Sequence, residues 1–343
     1  MVLLIRESDI AKMEFTPGEV IEAVENAYRQ DGIGKAHETP RIEIQIKGRH
    51  LPHIAPGTTS VGQGLAYLEE SNLFVISHSY HFDFHKYISQ ILDPETGETL
   101  AVVKRSRGAL GSKPKKVDSG GFRTGAAAAI GAKYLSKKDI ESVGIIGTGR
   151  IGRASLLCIA EVRDFDRVYS YSGRRRDEEF VNIMDRMVGA DVIACDSSEE
   201  VVRRSELLVT ATYAMEPVVK GVWLNEGTHI SGMGADGPMK IELDVETFGR
   251  ASKVIVDSEK CLSIKEMADA LKSGVLKRNN ISKIGQVVAG QKPGRTDDSE
   301  ITIFESDGTI IQSAAVVQLI YEKALEMNLG VETKEVYSFF MNP

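Results

Sequence analysis

Val143-Gly-Ile-Ile-Gly147-Thr-Gly149-Arg-Ile-Gly152 runs from a short apolar stretch into three glycines spaced G-x-G-x-x-G, and a helical pattern follows. Each glycine has a separate physical task. One makes the tight strand-to-helix turn, one lets the backbone approach a pyrophosphate, and one lets helix and strand pack closely. The N-terminus of the next helix then offers unpaired N–H groups and the positive end of its dipole to an anion. The stretch reads as a dinucleotide site, with Gly147, Thr148, Gly149, Arg150, Ile151 and Gly152 as cofactor-binding candidates.

Downstream, strand and helix alternate, with strands expected at 143–147, 167–172, 206–211, 228–232, 253–257 and 301–304. Consecutive units of this kind imply a parallel, doubly wound sheet with its ligand at the strand C-termini. Thr210, Ala211, Thr212, Met233 and Gly234 stand at or just beyond two such ends and join the cofactor-binding candidates. Helices are expected near 263–273 and from Gln312 to Met327, either side of a linker containing Lys292-Pro-Gly-Arg295.

Upstream the rhythm differs. Residues 2–5 read as a short strand, and a helix starts at Thr16 as cap, with Pro17 in the first turn and Glu19 completing a capping box. Val20, Ile21, Val24, Ala27 and Tyr28 fall on one face of it, and it runs out near Asp31-Gly32. Ile42, Ile44 and Ile46 alternate with Arg41, Glu43, Gln45 and Lys47, the pattern of a half-buried strand. Short strands at 64–68, 73–77 and 87–92 predict antiparallel sheet, and 99–103 is another strand after the turn at 93–97. Residues 104–121 are basic, glycine-rich and unpatterned, and read as a mobile loop before an alanine-rich helix that begins at Arg123.

At 343 residues the chain is too long for one ordinary core, so two domains are expected. With 42% hydrophobic and 27% charged residues it has the composition of a soluble globular protein. A formal charge of −7 supplies no global attraction to nucleic acid or to an anionic membrane, and neither is expected as a partner. Cys158, Cys195 and Cys261 are odd in number and scattered, which argues against a disulfide framework or a thiol metal site and fits a reducing cytoplasm. The apolar run at the start is too short for a secretory signal, and no stretch is long enough for a membrane span.

Several stretches taken in order resemble the ornithine cyclodeaminase/mu-crystallin family. They are Pro94-Glu-Thr-Gly97 with Leu100-Ala-Val-Val, Phe122-Arg123-Thr-Gly-Ala-Ala-Ala-Ala with Ala132-Lys-Tyr-Leu135, and Ile146-Gly-Thr-Gly-Arg-Ile-Gly152. Pro217-Val-Val-Lys, Gly227-Thr-His-Ile, Gly234-Ala-Asp236-Gly-Pro, Glu242-Leu-Asp, Gly294-Arg, Glu300-Ile-Thr-Ile-Phe and Asp307-Gly-Thr-Ile-Ile-Gln312 extend the likeness over about residues 8 to 330. The resemblance implies a Rossmann doubly wound parallel sheet inserted into a discontinuous α+β domain for substrate binding and dimerisation. On that reading residues 1–123 plus 314–343 form the substrate domain, 124–313 the NAD(P)-binding domain, and the protein is a homodimer.

It also implies roles. Arg41 and Arg123 stand where family members bind the substrate carboxylate, a task suited to the planar guanidinium fork, and His53 falls at or near a second carboxylate-binding arginine. Asp236 stands at the family's acid, beside the substrate nitrogen, although Asp before Gly-Pro is also a good turn signal. The family's lysine is missing: the matching positions are Ala66 or Phe74, and neither can donate a proton. His81, Asp83 and His85 would share one face if they lay on one strand, a spacing open to proton transfer or, with less support, to a metal; no metal is expected. Lys113, Lys115 and Lys116, in a link longer than the family's, are either solvated or a lid over a charged substrate.

The cofactor preference is read from the end of the second strand of the dinucleotide fold, where an acid for the ribose 2′-hydroxyl is expected about twenty residues beyond the glycines. The chain has Ser172-Gly-Arg174-Arg175-Arg176 there, which suits a 2′-phosphate, so NADP(H) is expected over NAD(H). The expected activity is that of an NADP(H)-dependent imine reductase or amino-acid dehydrogenase acting on a small α-carboxylate substrate. A cyclodeaminase that recycles its cofactor, and a non-catalytic binding protein of the mu-crystallin kind, are the alternatives.

Overall fold

A computed structural model of the chain describes residues 1–45, 60–81, 85–106, 119–173, 177–235 and 239–334. The chain begins β1 (Val2–Ile5), α1 (Glu7–Ile10), α2 (Pro17–Gly32), β2 (Ala36–Glu38), β3 (Ile42–Gln45), β4 (Ser60–Leu68), β5 (Leu73–His81), β6 (His85–Leu92), β7 (Thr99–Ser106) and α3 (Ser119–Leu135). It continues β8 (Ser142–Ile146), α4 (Arg150–Ile159), β9 (Arg167–Tyr171), α5 (Glu178–Val188), β10 (Asp191–Ala194), α6 (Ser198–Arg204), β11 (Leu207–Thr210) and β12 (His229–Gly232). It ends α7 (Val245–Arg250), β13 (Lys253–Val256), α8 (Lys265–Lys272), β14 (Ile281–Lys283), α9 (Ile284–Val288), β15 (Thr302–Glu305), α10 (Ile310–Glu326) and β16 (Val331–Thr333). Two compact units result, one of Met1–Gly120 with Ile310–Pro343 and one of Gly121–Thr309.

In the first unit the strands lie in the order β16-β1-β7-β6-β5-β4-β2, with β3 paired to β4. Only β1 and β7 run parallel among the described pairs, and the strands expected at 64–68, 73–77 and 87–92 form antiparallel sheet. One face packs on helices. Gly64 allows a close approach of α10, since a Cβ there would fall 2.3 Å from Ile310 Cδ1. Ala66, Val75, Ile91, Ala101 and Val103 are buried on this face. Helix α2 starts as its capping box dictates: Glu19 N donates to Thr16 Oγ1 at 3.2 Å and Thr16 N to Glu19 Oε2 at 2.7 Å.

Two expectations fail here. Ile42 and Ile44, predicted to face a core, are each 69% exposed, because β3 pairs only with β4 and nothing in the described chain covers its apolar side. Residues 104–121 are not one loop either. Strand β7 continues to Ser106 because β6 is long enough to pair with it, Tyr87 with Arg105 and Lys86 with Ser106, and helix α3 already begins at Ser119. Residues 107–118, and with them Lys113, Lys115 and Lys116, lie outside the described residues.

The second unit is a parallel sheet in the order β10-β9-β8-β11-β12-β15-β13-β14. The chain leaves β8 toward β9 and β10, then crosses over to β11 and β12, so the order reverses beside β8, where open sheets of this class take their ligands. Strands β10 (Asp191–Ala194) and β14 (Ile281–Lys283) were not expected from the sequence. The alanines and glycines of α3 allow close packing: a Cβ on Gly125 would sit 2.6 Å from the Ala154 carbonyl, and one on Gly131 2.6 Å from the Phe304 ring. No helix of the described residues is long and apolar enough to cross a membrane.

Candidate active site

The loop after β8 has the geometry its glycines predict. Gly147 has φ +102°, and a Cβ there would meet the Ala211 carbonyl at 2.4 Å, so both conformation and space demand glycine. Gly152 lies in the first turn of α4, where a Cβ would fall 2.0 Å from Gly147 O. Gly149, the cap of α4, is exposed, and nothing stands within 4 Å of where its Cβ would be. Two glycines are thus forced by packing, while the middle one leaves its space open above the helix N-terminus. This is the cradle a pyrophosphate fits.

Charge lies close to the loop. Arg153 is buried beneath it, with Nε donating to Thr148 O at 3.1 Å and the guanidinium over the Phe180 ring at 5.2 Å. Thr148 Oγ1 donates to Asp177 Oδ2 at 2.6 Å, and Asp177 also caps α5 by accepting from Phe180 N at 3.0 Å. Sequence reading overlooked Asp177, which lies beyond the expected ribose position but is folded back onto the glycine loop. Ser172 directly follows the last residue of β9 and is half-buried; Arg174 and Arg175 lie outside the described residues.

The ends of β11 and β12 are joined by a carboxylate. Glu242, fully buried, accepts from Thr212 N at 2.6 Å and Thr212 Oγ1 at 2.7 Å through one oxygen, and from Thr210 Oγ1 at 2.7 Å and Gly234 N at 2.9 Å through the other. Thr210, a cofactor-binding candidate, therefore turns its hydroxyl inward. Ala211 and Thr212 are half-buried, while Met233 and Gly234 are buried. Burial pushes the Glu242 carboxyl above its usual range, and these hydrogen bonds oppose the shift. Glu266 accepts from Glu242 N at 2.5 Å and Leu243 N at 2.9 Å, and burial and then Glu242 push its carboxyl up to about 7.

Arg123, half-buried in the first turns of α3, has Nη2 3.4 Å from Thr124 Oγ1, and its guanidinium lies against Gly308, where a Cβ would come within 3.3 Å of Nη2. It falls in the second unit. Arg41 immediately precedes β3 in the first unit and is half-buried. Asp236 and His53 lie outside the described residues, as does Asp83.

The two positions matched to the missing lysine are on opposite sides of the sheet. Ala66 is on the helix-covered face, and Phe74 is on the other, with its ring centroid 6.4 Å from that of Tyr67. The helix-covered face also holds a polar group that sequence reading missed: Arg105, 4% exposed, donates to Ser89 Oγ at 3.3 Å, and Ser89 Oγ is 2.9 Å from Ser77 Oγ. The alternation Ser77-His78-Ser79 was the available signal. His81 and His85 do not share a strand. Strand β5 ends at His81, β6 starts at His85, and the two are cross-strand partners, so the sheet brings them to the same face by pairing rather than by spacing along one strand. Among the described residues no group of three His, Cys, Asp or Glu side chains is placed to hold a metal ion.

Comparison with known proteins matches residues 2–328 to the ornithine cyclodeaminase/mu-crystallin family. The alanine dehydrogenase of Archaeoglobus fulgidus is 34% identical over 341 residues, which is 97% of this chain and 98% of the relative. The structure of Thermococcus litoralis Delta(1)-pyrroline-2-carboxylate reductase in complex with NADH and L-proline is similar with a TM-score of 0.82 at 32% identity, over 96% of this chain and 100% of the other. An archaeal alanine dehydrogenase dimer with bound NAD gives a TM-score of 0.82 at 32% identity, covering 97% and 99%.

Proposed function

The chain belongs to the ornithine cyclodeaminase/mu-crystallin family, and from that premise we propose that it is an NAD(P)(H)-dependent oxidoreductase acting on the C–N bond of a small α-amino or α-imino acid. The observation that carries this reading is the glycine loop: two glycines forced by packing and one held open over a helix N-terminus, at the reversal point of a parallel sheet. When bound, the nicotinamide nucleotide would donate a hydride to an imine carbon or accept one from an amine carbon. Gly147 to Gly152 hold its pyrophosphate, and Ala211, Thr212, Met233 and Gly234 line the strand ends beyond. Arg123 binds the substrate α-carboxylate through paired charge-assisted hydrogen bonds, and Arg41 has the same task. Asp236 manages the proton at nitrogen.

A panel of α-keto acids with ammonia, cyclic imines and amino acids, read at the nicotinamide absorbance, tests the assignment. Stoichiometric cofactor turnover with at least one member is the expected outcome. Ammonia release without net absorbance change would instead identify a cyclodeaminase, and nucleotide binding without turnover of any member a binding protein.

The 2′-phosphate form is the proposed cofactor, on the strength of Ser172 at the end of β9 and the arginines that follow it. Asp177 favours the opposite reading, because a carboxylate tied to the glycine loop through Thr148 could accept a ribose hydroxyl and repel a phosphate. Calorimetric titration with NADPH and NADH decides between them: tighter NADPH supports the arginines, and equal or reversed affinities support Asp177. The archaeal relatives' structures hold NAD and NADH, which gives the second outcome its weight.

The proposed assembly is a homodimer formed through the first unit's sheet. The face that no described helix covers carries Leu65, Tyr67, Phe74, Ile76 and Ile88, all only partly buried, beside the exposed Ile42 and Ile44.

A further inference from the structure

We propose that Glu242 is a positioning residue for the reaction, a buried strap that sets the spacing of the two strand ends against which the nicotinamide nucleotide lies. The proposal rests on the functional reading above and assigns a role to a side chain that touches neither cofactor nor substrate.

Four donors converge on one buried carboxylate. Two belong to Thr212, beyond the end of β11, one to Thr210 at that end, and one to Gly234, beyond the end of β12. Neighbouring parallel strands are held along their length by ladder hydrogen bonds, here Thr210 opposite Gly232, but the ladder stops where the chain turns outward. Past that point the two segments are connected by the carboxylate of Glu242. A carboxylate suits this task because it accepts through both oxygens and offers no donor to backbone N–H groups.

The surroundings are shaped for it. A Cβ on Gly234 would lie 2.6 Å from Glu242 Oε1, so glycine is required for the carboxylate to reach the backbone. Behind it a second glycine makes room for a second buried carboxylate, since a Cβ on Gly232 would lie 2.4 Å from Glu305 Oε1. Glu266, in the first turn of α8, accepts from the backbone N–H groups of Glu242 and Leu243 and so fixes the strap from its own side. Gly234 precedes the proposed acid, Asp236, by two residues in the sequence.

The test is Glu242→Gln. An amide has one acceptor oxygen, so whichever way it is turned either Thr212 N–H or Gly234 N–H meets an NH2 group. Nucleotide affinity, from the fluorescence of bound NADH or NADPH, is expected to fall at least about tenfold, and kcat by a similar factor or more. Both are measured well below the melting temperature, with circular dichroism matching the wild type. A purely structural role predicts a lower melting temperature with affinity and kcat of the folded protein within twofold of wild type, and that result overturns the proposal. Should Glu242→Gln not fold, Thr210→Val removes one donor and leaves the carboxylate in place. A loss of threefold or more in affinity and kcat is then expected, and wild-type values reject the strap. A wild-type chain that binds neither nucleotide overturns the functional reading, and this inference with it, whereas a binding wild type with an indifferent Glu242→Gln overturns this inference alone.

Discussion

At the scale of single residues, the second unit concentrates acids where water does not reach. Glu242, Glu266 and Glu305 are 0%, 2% and 1% exposed, and burial pushes all three carboxyls up, Glu305 further raised by Glu266 and then Glu242. Glu266 allows a signed prediction. Its folded-state pKa, about 7, lies above the ordinary value of 4.5, so the folded chain holds the proton to higher pH than the unfolded chain does. Its contribution to stability is complete below about pH 4.5 and is lost as the pH rises through about 7. Melting temperatures should therefore decline between about pH 4.5 and about pH 7, and Glu266→Gln, which still accepts from the two backbone N–H groups, should flatten that decline. Parallel melting curves for the two proteins would rule this group out as the cause. None of the three cysteines enters such chemistry; all are buried, and burial raises each thiol's pKa.

At the scale of elements, the β8–α4 junction shows why a motif can be legible in one dimension. Its glycines answer contacts made within a few residues of chain, except for the approach of Gly147 to Ala211. Gly152→Ala sets a methyl 2.0 Å from Gly147 O, which neither strand nor helix can relieve without opening the loop. The expected cost is about 2 kcal/mol or more, together with loss of nucleotide binding. Thermal unfolding and a fluorescence titration measure the two effects, and an undisturbed affinity would show that α4 does not approach the strand as described. Other motif residues prove to be braces. Arg295 donates to the Leu135, Glu300 and Gly227 carbonyls at 2.7, 2.7 and 3.1 Å, and buried His229 bridges Thr302 Oγ1 and Ser231 Oγ at 2.9 and 3.1 Å. Burial pushes His229 well below its usual pKa, so it holds these contacts as a neutral ring.

At the scale of the whole molecule, β3 leaves Ile42 and Ile44 in water, each 69% exposed. Burying such a side chain fully is worth roughly 1.5–3 kcal/mol, which makes an uncovered pair a strong incentive to associate. Light scattering is expected to give a dimer, and the double substitution Ile42→Asp with Ile44→Asp a monomer that keeps the wild-type circular dichroism. A wild-type monomer at micromolar concentration would show that this face serves no self-association.

Local periodicity and backbone conformation can be read along the chain. The capping box at Thr16 and Glu19, the strand and helix alternation after Val143, and the packing of Gly152 on Gly147 are set by neighbours a few residues apart, and each is found where the residues predict it. Contacts between distant segments cannot be read that way. Arg105 beside Ser89, Asp177 on Thr148 and Glu242 on Thr210, Thr212 and Gly234 join residues 16, 29 and up to 32 positions apart, a separation that leaves no periodic trace. The exposure of β3 was equally hidden, because alternating isoleucines show that one face is apolar but not whether this chain or another one covers it. The opening glycines announce a place for a dinucleotide. The carboxylate strap that sets the strand ends beside it exists only once the chain has folded, since its four donors are drawn from segments that the sheet brings together.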